Sequence, residues 1–131
     1  MDAEGRMTDS NETIVNNFVK EFEVAAPDPE TVGAYFTDDA VYHNIPMAPI
    51  NGKKAIMETI AGWKAMMACN GWEVLNQAAS GDVVMNERID HFIANGKEIS
   101  LRVVGVFELH DGKITAWRDY FDMAQFRALF G

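Results

Sequence analysis

The hydrophobic period of this chain changes once, and that change limits its possible folds more than any other feature. Up to Ala68 apolar residues recur at helical spacing: Ile14, Val15, Phe18, Val19 and Phe22 on one face, then Ile56, Ile60, Trp63 and Met67 on another. After Asn70-Gly71 the period falls to two. Strands are expected roughly over Trp72–Ala79, Asp82–Ala94, Lys97–Leu109 and Lys113–Phe121. Ser80-Gly81, Asn95-Gly96 and Asp111-Gly112 separate them, and each dipeptide suits the positive φ of a tight hairpin. Helices and strands in separate blocks define an α+β chain.

Smaller signals complete the outline. Asp9 with Glu12 three residues on reads as the cap of the first helix. Pro27-Asp28-Pro29 ends that helix and begins a short second one, with Asp28 as cap and Pro29 as first residue. Val32, Tyr35 and Phe36 are its apolar contacts. A strand over Ala40–Ile45 runs into the breaker Pro46 to Pro49, and a third helix is expected from Gly52 to Ala68. Asp122 caps a final helix carrying Met123, Phe126, Leu129 and Phe130. A long twisted sheet must be covered on its apolar face, and the N-terminal helices can do this. The expected architecture is a curved antiparallel sheet wrapped against those helices, a cone whose open mouth is a small-molecule pocket.

The chain of 131 residues is long enough for one core and too short for two good ones, so a single domain over 1–131 is expected. Residues 1–8 carry no pattern and read as a disordered tail, and either Met1 or Met7 could be the native start. A net charge of -9 without a Lys/Arg cluster argues against nucleic acid or an anionic membrane as partner. Cys69 is the only cysteine, and His43, His91 and His110 lack ligand spacing, so no disulfide, metal or cofactor is expected. The polar, acidic first residues do not resemble a secretory signal. No apolar run approaches the roughly 18 residues of a membrane span. A cytoplasmic setting is the expectation.

Alternation over the second of the four strands puts Asn86, Arg88, Asp90 and Phe92 on one face. A two-residue turn at Asn95-Gly96 pairs Phe92 with Ile99, Asp90 with Leu101 and Arg88 with Val103, so the charges share a face with large aliphatics. Exposed ladder charges would be the ordinary reading of Arg88 and Asp90, and this apolar company argues against it. The next hairpin has two registers. A two-residue turn puts Asp119 opposite Val104, on the other face. A three-residue His110-Asp111-Gly112 loop puts Asp119 opposite Val103, Phe121 opposite Leu101 and Gly105 opposite Trp117, with space there for the indole. The second register is preferred, because it brings Asp119 beside Arg88. Two carboxylates flanking one guanidinium in an apolar cavity would keep one acid protonated and one ionised, an acid and a base at one pH.

The segments Tyr42-His43-Asn44-Ile45-Pro46, Glu87-Arg88-Ile89-Asp90, Gly105-Val106-Phe107 and Gly112-Lys113-Ile114-Thr115, leading to Trp117-Arg118-Asp119-Tyr120-Phe121-Asp122, resemble the limonene epoxide hydrolases. The likeness runs from about the first helix onward, in the same order and at similar spacing. It implies the nuclear-transport-factor-like cone fold and one-step opening of an epoxide by water, without cofactor, metal or covalent intermediate. It also implies roles: Asp90 the acid on the epoxide oxygen, Asp119 the base on water, Tyr42 and Asn44 holding that water, and Arg88 the bridge. A homodimer is implied as well. Trp63 and Trp72 are larger than the aliphatic residues associated with those places, which argues against limonene oxide itself as substrate. Trp63, Met67, Phe92, Leu101, Val103 and Phe121 are the expected wall around a small hydrophobic epoxide. The rival readings are an isomerase or cyclase acting through an enolate, and a binding module without catalysis. An enolate site has no use for a guanidinium between two acids, whereas the fold alone does not exclude the binding module.

Overall fold

Ser10 opens the first helix: its Oγ accepts the Thr13 N–H at 3.1 Å and caps α1 (Asn11–Lys20). The computed structural model describes residues 10–130. Asp9, expected as that cap, lies outside the described residues, as do the 1–8 tail and both candidate starts, and Ser10 takes the capping role. The expected second helix is present as α2 (Pro29–Gly33), with Asp28 Oδ2 accepting from the Thr31 N–H at 3.1 Å. Phe36 is not part of that helix. It begins β1 (Phe36–Asn44), a strand that starts four residues before the expected Ala40.

The third helix is shorter than its apolar period suggests. α3 covers Lys53–Gly62, and a 3-10 turn over Trp63–Ala65 follows it. Met67 N–H still reaches the Trp63 carbonyl at 2.8 Å, which keeps the two side chains on one wall. A short strand, β2 (Ile50–Asn51), precedes α3 and was not legible in the sequence. Asn70-Gly71 does not break the chain either. β3 (Ala68–Ser80) runs through it with an irregular register between Cys69 and Trp72, and Gly71 at φ +88 supplies the kink.

β4 (Val83–Ala94), β5 (Lys97–His110) and β6 (Lys113–Tyr120) complete the meander, and α4 (Met123–Phe130) closes the chain. Asp122 caps α4 as expected, accepting the Gln125 N–H at 2.8 Å. The sheet has six strands in the order β2-β1-β6-β5-β4-β3. It is mixed rather than wholly antiparallel, because β1 lies parallel to β6 and pairs Tyr42 with Trp117 and Asn44 with Asp119.

The turn alone sets the register of the β4–β5 hairpin, whereas in the β5–β6 hairpin a bulge shifts it. Asn95 (φ 53) and Gly96 (φ 74) form the two-residue turn and give the expected pairs Phe92 with Ile99, Asp90 with Leu101 and Arg88 with Val103. The β5–β6 hairpin also has a two-residue turn, with Asp111 at φ 48, Gly112 at φ 78 and His110 opposite Lys113. The preferred three-residue loop is therefore wrong. The extra residue is Thr115, bulged between the pairs Leu109–Ile114 and Glu108–Ala116. That bulge restores the face but moves the partners. Asp119 pairs with Gly105 instead of Val103, and Trp117 pairs with Phe107 instead of Gly105.

The apolar faces of α1 and the sheet meet in an aromatic core. Phe18 is fully buried, with its ring edge-on to Phe22, Phe36, Phe107 and Trp117. Trp117 lies flat on Tyr42, ring centroids 3.8 Å apart and planes 10° from parallel. This packing fixes the end of the cone where the polar side chains gather.

Candidate active site

One row of side chains crosses the inner face of the sheet: Gln77 on β3, Asn86 on β4, Gly105 on β5, Asp119 on β6 and Asn44 on β1. Arg88 stands in the adjacent row, and its guanidinium lies over Gly105. A Cβ on Gly105 would collide with Arg88 Nη1 and come within 3.0 Å of Asn86 Oδ1 and Asp119 Oδ1. The missing side chain thus houses Arg88, where the sequence had suggested the Trp117 indole.

Arg88, Asp90 and Asp119 are buried, at 0%, 3% and 3% exposed, so the surface-ladder reading fails. Arg88 grips Asp90 with two bonds, Nε to Oδ1 at 2.9 Å and Nη2 to Oδ2 at 3.0 Å. The same Nη2 donates to Asp119 Oδ2 at 2.9 Å. One nitrogen therefore bridges the two carboxylates, a fork that a lysine ammonium could not reproduce. Trp72 completes the setting, with Arg88 Cζ 5.0 Å from its ring centroid and Phe22 stacked on it at 3.8 Å.

Asp119 has a second donor, the Trp117 indole Nε1 to Oδ1 at 2.8 Å. Burial raises its pKa most, Arg88 pulls it back and Asp90 pushes it up again, leaving it at about 6. Burial alone would lower the Arg88 pKa, but the Asp119 and Asp90 carboxylates overcome this and raise it, so the bridge stays charged. Tyr42 is held neutral by burial, then by the charge of Asp119, and its hydroxyl donates to Asn44 Oδ1 at 3.2 Å. That bond leaves the Asn44 amide NH₂ as a donor and the Tyr42 oxygen as an acceptor, and both residues border the cavity with Asp119.

The cavity encloses about 210 Å³ and is bordered by Tyr42, Asn44, Asp90 and Asp119 at its polar end. All six expected wall residues, Trp63, Met67, Phe92, Leu101, Val103 and Phe121, line it. Trp72, the second bulky residue noted beside Trp63, lines it as well, whereas sequence reasoning missed Ile50, Phe126 and Phe130. Phe126 and Phe130 share a helical face, but nothing local showed that α4 would fold back over the mouth and bring Phe130 to 5.6 Å from Phe92. Asn86 and Trp117 were missed as partners of the charged trio, although alternation had put Asn86 on the same face. His91 faces outward, in an exposed ladder with Ser100 and Glu73. His43 also points away, to the Met47 carbonyl at 2.8 Å. Cys69 is buried.

The fold and site together place the protein among the NTF2-like cone folds. An NTF2-like protein of unknown function from Burkholderia pseudomallei superimposes with a TM-score of 0.82 at 18% identity, over 94% of this chain and 98% of that one. Such low identity speaks for the fold alone. An LEH-like epoxide hydrolase of Mycobacterium tuberculosis superimposes with a TM-score of 0.79 at 31% identity, over 91% of this chain and 88% of that one. Epoxide hydrolase EphG of Mycobacterium tuberculosis is 39% identical over 98 residues, which are 73% of this chain and 64% of that relative, so under two thirds of its length is spanned. The limonene-1,2-epoxide hydrolase catalytic domain matches residues 9–129, and the chain belongs to that family. No helix among the described residues is long and apolar enough to cross a membrane.

Proposed function

We propose that the protein hydrolyses a small, hydrophobic epoxide to a vicinal diol in one step, without a cofactor or a covalent enzyme intermediate. The observation that carries this is Arg88 Nη2, shared between Asp90 and Asp119 at the polar end of an otherwise apolar cavity. Asp119 is the base. It sits beside Tyr42 and Asn44, which can orient a water, and its raised pKa makes it a stronger base than an ordinary aspartate. Asp90, across the guanidinium, is the acid. The water oxygen bonds to an epoxide carbon as the ring C–O bond breaks. The water proton passes to Asp119, and the proton of Asp90 passes to the departing oxygen. Arg88 remains protonated throughout and spreads its charge over both acids. An enolate isomerase would need one base and one neutral donor, with no use for this bridge.

Incubation with a panel of small epoxides in oxygen-18 water tests the reading directly. Single incorporation into the diol from the first turnover is expected. Label appearing first in the protein would indicate an ester intermediate, and absence of any diol would leave the isomerase and binding readings.

The pH dependence follows from Asp119. It must be ionised to take a proton, so kcat/KM should fall about tenfold per unit below pH about 6. Its folded pKa is above the ordinary value of 3.8, so the native state binds the proton more tightly. Asp119 therefore favours folding most below pH 3.8, and this contribution is lost as pH rises through about 6. A pH–rate profile still flat at pH 5 would remove Asp119 as the base.

Trp63 occupies space on one wall of a compact cavity. Trp63→Leu should shift preference towards bulkier cyclic or disubstituted epoxides, by roughly 1–3 kcal/mol of discrimination. Competition between a small and a large epoxide on both proteins measures this, and an unchanged ratio would return Trp63 to the core. A homodimer in the cytoplasm is part of the same proposal. Half-exposed Met85, Val104 and Tyr120 on the outer sheet face support the dimer. A monomer mass on sedimentation would remove it.

A further inference from the structure

Asn86 is 2% exposed, polar, and takes part in none of the steps above. It sits in the row between Gln77 and Gly105. Its Oδ1 accepts from Arg88 Nη1 at 2.9 Å, and its Nδ2 donates to Gln77 Oε1 at 3.3 Å. Gln77 Nε2 in turn reaches Glu12 Oε1 on α1 at 3.4 Å. The amide orientation is settled by chemistry, because a guanidinium has only donors and must face the carbonyl oxygen. All three guanidinium nitrogens are thus anchored: Nε on Asp90, Nη2 on both carboxylates and Nη1 on Asn86.

We propose that Asn86 is a positioning residue whose uncharged carbonyl locks Arg88 over Gly105, with Nη2 between the two acids, and leaves the full guanidinium charge to them. The groups facing this centre are Tyr42 from β1, Cys69 and Trp72 from β3, Asp90 from β4, Val103 from β5, and Trp117 and Asp119 from β6. Arg88 is the cation at that centre, and Glu12 stands behind Gln77. An acid at position 86 would be a third carboxylate on one guanidinium. It would add repulsion to the burial that already opposes the Asp119 charge. A residue too short to reach Nη1 would release the fork and let Nη2 swing away from its bridging position. The catalytic consequence rests on the epoxide-opening reading, whereas the effect on Asp119 is electrostatic and does not.

Two variants and two readouts test this. Asn86→Asp keeps the shape and the accepting oxygen but adds charge, and Asn86→Ser loses the carbonyl. The Trp117 indole N–H donates to Asp119, so its nitrogen–proton resonance reports Asp119 ionisation without requiring turnover. In Asn86→Asp the midpoint of that titration should rise by about one unit. The acid limb of kcat/KM should rise with it, and kcat should return close to the wild-type level above the limb. In Asn86→Ser kcat should fall by about tenfold or more at every pH, with KM changed less than about twofold, as expected for lost alignment. An Asn86→Asp midpoint superimposed on the wild type, or a wild-type kcat in Asn86→Ser, would overturn the proposal. A resonance that shifts as described in a protein that opens no epoxide would uphold the charge role of Asn86 and sink the proposed reaction.

Discussion

Asp119→Asn and Asp90→Asn are each expected to abolish diol formation, with rates at least about 10²- to 10⁴-fold lower, while the protein remains folded. An amide at position 119 cannot take the water proton, and one at position 90 cannot give a proton to the epoxide oxygen. Each change also disturbs a neighbour. The carbonyl of an amide at 119 could still accept from Trp117 at the Oδ1 position, but its NH₂ would then face Arg88 Nη2, donor against donor. At position 90 one of the two bonds from Arg88 would be lost in the same way. The kinetic comparison therefore needs circular dichroism and a melting curve beside it. A variant that keeps near-wild-type turnover with an unchanged spectrum would remove that residue from the mechanism.

Arg88→Met should be the most destabilising single change at the site. It removes the one counter-charge of the buried Asp90–Asp119 pair, and breaking such a buried ionic network from one side costs about 3–5 kcal/mol. Against a typical domain stability of about 5–15 kcal/mol, that threatens folding at neutral pH. The loss should shrink as pH falls, because protonated acids need no counter-ion. Urea unfolding at two pH values on either side of about 6 checks both the size and the sign. A loss that does not vary with pH would mean that the carboxylates are not what Arg88 serves. Gly105→Ala reaches the same centre from below, since its methyl group would displace the Arg88 guanidinium. Overpacking of about 1–3 kcal/mol and a large loss of turnover are expected. Wild-type turnover in that variant would show that the guanidinium does not need its place over Gly105.

The relation between chain and structure is clearest in the two hairpins. Asn95-Gly96 is a local device: both residues adopt positive φ, and the register of β4 on β5 follows without help from the rest of the molecule. Arg88 and Asp90 were therefore placed correctly on an apolar face from sequence alone. The capping residues Asp28 and Asp122 are local in the same sense and were legible. Asp111-Gly112 is an equally good turn, yet the β5–β6 register depends on Thr115 bulging out several residues away. No dipeptide encodes that bulge, and without it Asp119 would face solvent. The preferred reading reached the right face through the wrong loop, so it misassigned the partner of Gly105.

The sequence by itself determined the switch from helical to alternating period, the turns and caps, and the residue types that define the family. These depend on interactions within a few positions of the chain. Only the tertiary structure decided that β1 runs parallel to β6, setting Asn44 beside Asp119, and that α4 brings Phe126 and Phe130 to the cavity. It also decided that Gly105 makes room for a guanidinium, and that Asn86 and Trp117 each donate or accept one bond that holds the charged trio in place. Those outcomes come from how strands far apart in sequence satisfy buried charge together, and a buried ion is satisfied by whatever is close in space, not by its neighbours along the chain.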